Sequence, residues 1–387
     1  MKNYPLYAVI PCHNDCELSN WAVRALLFSE AKFEKIIVVA DRCFSHVNSW
    51  KYDEVSVIFL EDNSEGKSGA LNKALTLLSL SSPSGFYILF CDADTVIDLS
   101  QVRFLQSEIS ASGVKAVMAQ VSILSSDSLL VGFQRLELQN QILDHKRNSY
   151  RSDIITGQAS IVDMTEGSYF FDSGSLVEDQ RLTYQLRAEF GDASCLVSRH
   201  TGAVTDPMTS WKGWWAQRRK WNTGSLNEVL AQPFSLTKRY WRRLFSTLFD
   251  LSLRTSVLLG VILFPSFWWV GLLLVAVGMV VSTPWGSVRV RSDHRPVLLW
   301  ELYQWALWAN LGASLVKRGQ QGLWEKQREA ESRTGQSRDL LASIAGLGLL
   351  SFVSLLLAPL TIPVLVFRQI NRLRRKQDES GHKFRNS

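Results

Sequence analysis

Two carboxylates stand one residue apart in Phe90-Cys91-Asp92-Ala93-Asp94, directly after the apolar run from Phe86 to Cys91. A turn at the end of a buried strand can aim both at one hard cation, Mg²⁺ or Mn²⁺, that also holds a diphosphate. Acid pairs at strand ends also form turns without binding metal. Asp41 closes a second apolar run, Lys35-Ile36-Ile37-Val38-Val39-Ala40. There it can accept hydrogen bonds from a nucleotide base or ribose, or cap a turn. Gly66-Lys67-Ser68-Gly69-Ala70-Leu71-Asn72 enters a helical pattern, where free backbone amides and the Lys67 ammonium favour phosphate. It is no Walker loop, because Glu61 stands where that motif needs its first glycine. Glu178 and Asp179 open a helical pattern that continues through Leu182 and Leu186, which places acids where a helix start favours them. Gln217-Arg218-Arg219-Lys220-Trp221 lies among Trp211, Trp214 and Trp215, a mixture of rings and cations suited to an amphipathic helix at a membrane interface.

The elements that must position these residues read as a βαβ series up to about residue 205. The expected strands are Tyr7 to Ile10, Lys35 to Ala40, Val55 to Leu60, Phe86 to Cys91 and Ala116 to Val121. Polar or Gly-containing residues follow each, so the acids fall at carboxyl ends of strands, where open α/β sheets take their ligands. The architecture alone names no reaction.

Beyond that point the chain changes character. No charge interrupts the residues between Arg254 and Arg289, or those between Asp339 and Arg368, and both runs exceed the ~20 residues a membrane helix needs. A third segment, Pro296 to Val316, has Glu301 as its one charge and carries Trp300, Trp305 and Trp308. It fits a span, an interfacial helix or a buried soluble helix. Four spans, with three as the alternative, leave the basic tail on the cytoplasmic side. The division expected is a catalytic domain over 1–205, an interfacial segment over 206–243, membrane helices over 244–367 and a basic cytoplasmic tail over 368–387.

The 387 residues are 46% hydrophobic with a formal net charge of +6, which excludes disorder and leaves anionic lipid as the natural partner of the basic runs. No nucleic-acid reader motif accompanies them. Five cysteines, at 12, 16, 43, 91 and 195, show no paired C-x-x-C spacing, so neither a zinc site nor a disulfide framework is expected. The start from Met1 to Asn14 does not read as a signal peptide, which places the first domain in the cytosol.

Taken in order, strand-end Asp41, G-K-x-x-A-L-N, D-A-D, T-G-x-x, V-E-D and Q-R-R-K-W followed by apolar runs resemble the membrane-bound family 2 glycosyltransferases, the group that includes cellulose, hyaluronan and poly-N-acetylglucosamine synthases. The resemblance implies a GT-A (Rossmann-like) α/β nucleotide-sugar domain followed by a C-terminal helical membrane domain in the plasma (inner) membrane. By the same resemblance Asp41 contacts the base or ribose of a UDP-sugar and Lys67 lies near the nucleotide. Asp92 and Asp94 hold Mg²⁺ or Mn²⁺, with Asp94 the direct ligand. Thr156, Gly157 and Gln158 border donor and acceptor, and Asp179 is the catalytic base. Gln217, Lys220 and Trp221 match a Q-x-x-R-W motif in which Lys220 replaces the usual arginine and cannot reproduce its planar fork. The implied activity is inverting transfer to a saccharide acceptor in extracellular or cell-envelope polysaccharide synthesis, with membrane lipids and export or co-synthase subunits as partners. Transfer of one sugar to a polyprenyl-phosphate or lipid-linked acceptor is the alternative, and a non-catalytic nucleotide-sugar-binding regulator the second.

Overall fold

The computed structural model describes residues 4–245, apart from 14–15, 42–49, 51, 61–65, 82–84, 125, 127, 166–168 and 172–174, together with residues 297–316. The chain folds as two compact units, the first of which contains everything up to Arg239.

The first unit is built on β1 (Leu6–His13), α1 (Cys16–Leu27), β2 (Lys35–Asp41), β3 (Val55–Leu60), α2 (Gly66–Ser81), β4 (Tyr87–Cys91), β5 (Thr95–Ile97) and α3 (Gln101–Ser112). It continues with β6 (Ala116–Ile123), α4 (Leu129–Arg147), β7 (Ala159–Asp163), α5 (Glu178–Phe190), β8 (Cys195–Thr205) and α6 (Trp211–Ala231). Eight strands form one sheet in the order β3-β2-β1-β4-β7-β6-β8-β5. The five expected strands are all present, Val55–Leu60 with the expected ends and the others with ends shifted by a few residues, and β3, β2, β1 and β4 pair in parallel.

The βαβ reading covers only that half. β7 joins β4 and β6 antiparallel, and β5 joins β8 antiparallel. Three strands escape the periodicity: β5 is three residues long, β7 is five, and β8 carries Ser198, Arg199, His200 and Thr201 within its run. Short or polar strands are held by their neighbours rather than by intrinsic preference.

Alternation along β1 explains why it lies inside. Leu6, Ala8, Ile10 and Cys12 face a layer made with α1 and α3, while Tyr7 and Val9 face a layer made with α2 and α5. A strand buried on both faces must be apolar at both phases of its two-residue repeat. The α2 layer uses Ala70, Leu71, Ala74, Leu75 and Leu78, and Leu182 and Leu186 extend it from α5.

Register decides which loops meet. Cys91 pairs with Ala159, so the chain leaving β4 meets the chain entering β7, and Asp92 N donates to Gln158 O at 3.3 Å. Thr95 pairs with Thr205, which brings the end of β8 beside Asp94.

In the second unit the described residues are 240–245 and helix α7 (Val297–Val316). Within α7, Tyr303, Trp308 and Asn310 are buried, and Trp305 and Trp308 meet edge to face at 5.3 Å. Among the described residues no helix is long and apolar enough to cross a membrane. The two long uncharged runs, residues 255–288 and 340–367, and the tail over 368–387 lie outside the described residues.

Candidate active site

The centre of the site is Lys67. Gly66 adopts φ 63° at the first position of α2, a conformation glycine takes without steric cost, and the next residue points its side chain over the carboxyl end of β4. Lys67 Nζ lies 2.6 Å from Asp92 Oδ1 and 2.8 Å from Glu178 Oε1. One cation thus joins the D-A-D turn to the start of α5. Burial pulls the Lys67 ammonium down, but Asp92, Glu178 and Asp179 outweigh it and hold it well above the usual lysine value.

Gly157 closes this cluster from the β7 side. A Cβ there would stand 3.0 Å from Lys67 Nζ and 3.5 Å from Asp92 Oδ1, so a bare backbone is what lets the loop approach. Its amide donates to Asp179 Oδ2 at 3.4 Å, and the Gln180 amide donates to Asp179 Oδ1 at 2.8 Å. Behind it, Ile155 N donates to Thr183 Oγ1 at 2.8 Å, which ties the loop to α5.

Glu178 is buried and its neighbour Asp179 half-buried, and their proton affinities move apart. Burial and the Glu178 charge push the Asp179 carboxyl up to about 6. Burial also acts to raise Glu178, but Lys67 and then Lys220 overcome it and the net shift is downward. Paired carboxyls separated in this way are what acid–base chemistry near neutral pH requires.

Asp94 is held by hydroxyls, with Thr95 Oγ1 donating at 3.1 Å and Thr205 Oγ1 at 3.4 Å. Burial and Asp92 push its carboxyl up to about 6. Two hard carboxylates that repel each other in this way fit a divalent cation that takes its remaining ligands from phosphate and water. Among the described residues no group of three or more His, Cys, Asp or Glu side chains could hold a metal alone.

The other expected residues are less central. Asp41 lies at the end of β2, where His13, its register partner on β1, meets it with Nδ1 to Oδ2 at 2.8 Å. Gln158 contributes its backbone carbonyl to Asp92. Gln217, Lys220 and Trp221 lie on α6, whose N-terminus is capped by Ser210 Oγ accepting from Gly213 N at 3.1 Å. Lys220 is electrostatically coupled to Glu178, and burial with Lys67 nearby holds its own pKa down. Trp221 is 37% exposed, with the Arg218 guanidinium over its ring at 4.5 Å. Arg218 also pairs with Glu137 of α4 at 2.7 Å, so this cation of the basic stretch is engaged inside its own unit.

The site also contains residues to which the sequence assigns no role. Glu178 stands in V-E-D only as the neighbour of the expected base, and His13 and Thr205 belong to no motif. Asn72 fixes the segment ahead of α5 by donating Nδ2 to Phe171 O at 2.7 Å and accepting from Phe171 N at 2.8 Å. Its place in G-K-x-x-A-L-N is the available signal.

Fold and site together define a GT-A-like α/β domain, with acids and a lysine gathered over the carboxyl ends of β1, β2 and β4. Residues 7–163 match the model of Glycosyl transferase family 2. It is 26% identical over 266 residues to the probable glycosyltransferase YdaM of Bacillus subtilis (strain 168), over 62% of this chain and 60% of that protein. The chain therefore spans about three fifths of the curated relative it matches. In fold it is similar to the mannosyltransferase PcManGT from Pyrobaculum calidifontis, solved in complex with GDP-Man and Mn²⁺, with a TM-score of 0.52 and 13% identity over 84% of this chain and 89% of that one.

Proposed function

We propose that the protein moves a sugar from a nucleotide-sugar to an acceptor hydroxyl with inversion, and that Asp179 is the base. The observation that carries this reading is the Asp179 carboxyl itself. It is raised to about 6, held by two backbone amides, and lines the same pocket as Lys67 and Asp92.

In the step proposed, an acceptor oxygen attacks the sugar C1 while its proton passes to the Asp179 carboxylate. The C1–O bond to the diphosphate breaks on the opposite face, and its electron pair leaves with the diphosphate. Lys67 binds the diphosphate side, and Gly157 leaves the space for it. Asp41 with His13 provides carboxylate and ring nitrogen for the base or ribose. Asp92 and Asp94 would hold the divalent cation, which supplies charge neutralisation on the departing diphosphate. PcManGT binds GDP-Man together with Mn²⁺, which makes a nucleotide-sugar and a divalent cation the first ligands to try.

We take the donor to be a UDP-sugar and the product to belong to extracellular or cell-envelope polysaccharide synthesis, on the strength of the ordered motifs. The test is a panel of labelled nucleotide-sugars supplied to membranes containing the protein, with products sized and partitioned. A ladder supports chain extension. A single organic-extractable product supports a lipid-linked acceptor, and nucleotide-sugar binding without turnover defeats the catalytic reading.

Plasma-membrane attachment with a cytoplasmic catalytic unit is proposed from the uncharged runs, and the exposed Trp211 and Trp221 of α6 suit contact with the inner leaflet. Cysteines placed along residues 211–221 should resist labelling from outside intact cells. Labelling from outside would reverse the orientation.

A further inference from the structure

Lys220, Gly224 and Glu228 follow one another at four-residue intervals on α6 and therefore share one face of the helix. All three meet the start of α5. Lys220 acts electrostatically on Glu178. At Gly224 an added Cβ would come within 2.9 Å of both Leu176 Cβ and Val177 Cγ1, so the two backbones approach as closely as side chains allow. Glu228 is 7% exposed. Its Oε1 accepts from Ser175 Oγ at 2.7 Å and its Oε2 from Arg181 Nη1 at 3.2 Å.

Ser175 and Arg181 stand three residues before and three after Glu178. One buried carboxylate thus spans the whole helix start that carries Glu178 and Asp179. Ser175 Oγ in turn accepts from Val177 N at 3.3 Å, so the link reaches the backbone entering α5. Nothing in the chemistry of transfer needs Glu228 at the substrate, and neither of these hydrogen bonds places it there.

We infer that Glu228 is a positioning residue: from α6 it holds the first turn of α5, and with it the Asp179 carboxylate, at its distance from Gly157 and Lys67. The inference rests on the proposed role of Asp179. A displacement of about 1 Å in a reacting group costs up to ~10²-fold in rate, so a clamp on this turn acts on the rate of transfer more than on donor affinity.

The experiment compares the full-length wild type with Glu228→Ala and Glu228→Gln, using whichever nucleotide-sugar the wild type turns over. Glu228→Ala should lower kcat per folded molecule roughly 10–100-fold with donor KM within about threefold, and Glu228→Gln, which keeps one acceptor oxygen, should recover part of the loss. An unchanged kcat per folded molecule beside a lower melting temperature would make Glu228 a stabilising residue only and overturn the inference. If Glu228→Ala does not fold, Ser175→Ala and Arg181→Gln each remove one link, and full kcat in both would overturn it equally.

Amide hydrogen exchange without ligand separates this inference from the functional one. Glu228→Gln should exchange faster at residues 155–158 and 175–183 and unchanged in β1 and β2, whether or not a donor is found. Unchanged or uniformly faster exchange would count against the clamp, whereas a wild type inert toward every donor would count against the proposed reaction alone.

Discussion

Lys67 Nζ sits 2.6 Å from Asp92 Oδ1, so the cation of the G-K-x-x-A-L-N element rests on the first carboxylate of D-A-D. With Glu178 Oε1 at 2.8 Å on its other side, Lys67 is the counter-ion that allows acids from β4 and α5 to share one cluster. Lys67→Met should strand both acids. The expected stability loss is about 1–3 kcal/mol rather than the ~3–5 kcal/mol of a fully buried pair, because the Lys67 and Asp92 side chains are each a quarter exposed. Thermal denaturation measures it, and titration with UDP should show weaker binding in the same variant. An unchanged melting temperature would mean that the ion pairs contribute nothing net.

Asp179→Asn keeps the shape and one of the two acceptor oxygens that meet the Gly157 and Gln180 amides, but cannot accept a proton. Single-turnover transfer should fall by ~10²–10⁴-fold while donor affinity persists. Glu178→Gln serves as the neighbouring control and should act mainly through Lys67. A near-normal transfer rate for Asp179→Asn would leave the mechanism without its base.

The pH profile has a definite sign. With the carboxyl raised to about 6, kcat/KM should decline as pH falls through about 6, because the base becomes protonated. The effect on stability runs the other way. The folded state holds this proton more tightly than the unfolded chain, so the contribution of Asp179 to stability is complete below the unfolded value of 3.8 and is lost as pH rises through about 6. Asp94 shifts in the same direction. Rate loss between pH 7 and 5.5 without a matching fall in melting temperature would separate titration from unfolding, and a flat rate profile would remove Asp179 as the titrating base.

Transfer should stop in EDTA and return with Mn²⁺ or Mg²⁺. Asp94→Asn should weaken Mn²⁺ binding measured in the presence of UDP, since it removes a charge from the carboxyl pair. Full turnover in EDTA would remove the cation from the proposal.

Gly157→Ala places a methyl 3.0 Å from an ammonium held between two carboxylates. Lys67 must then shift by a few tenths of an ångström. Donor KM should rise several-fold with little change in melting temperature, and an unchanged KM would show that the cradle has slack.

Much of this protein is legible in its sequence because local patterns encode it. Runs of six mainly apolar residues leading into Asp41 and Asp92 announce strands with acids at their carboxyl ends, and Glu178-Asp179 ahead of Leu182 and Leu186 announces the start of α5. What the sequence could not reveal is contact across the sheet, which depends on register and on the packing of distant segments. The antiparallel pairing of Cys91 with Ala159 brings Gly157 to Asp92, and the pairing of Thr95 with Thr205 supplies a hydroxyl to Asp94. Neither follows from periodicity, because a strand's repeat tells which face is buried but not which neighbour lies beside it. Glu228 looks like an ordinary charged helix residue for the same reason, and Glu178, although part of V-E-D, gives no sign of its partner. Only tertiary packing removes them from water, and a carboxylate in a low-dielectric interior must find a partner, which here is Lys67 for one and Arg181 with Ser175 for the other.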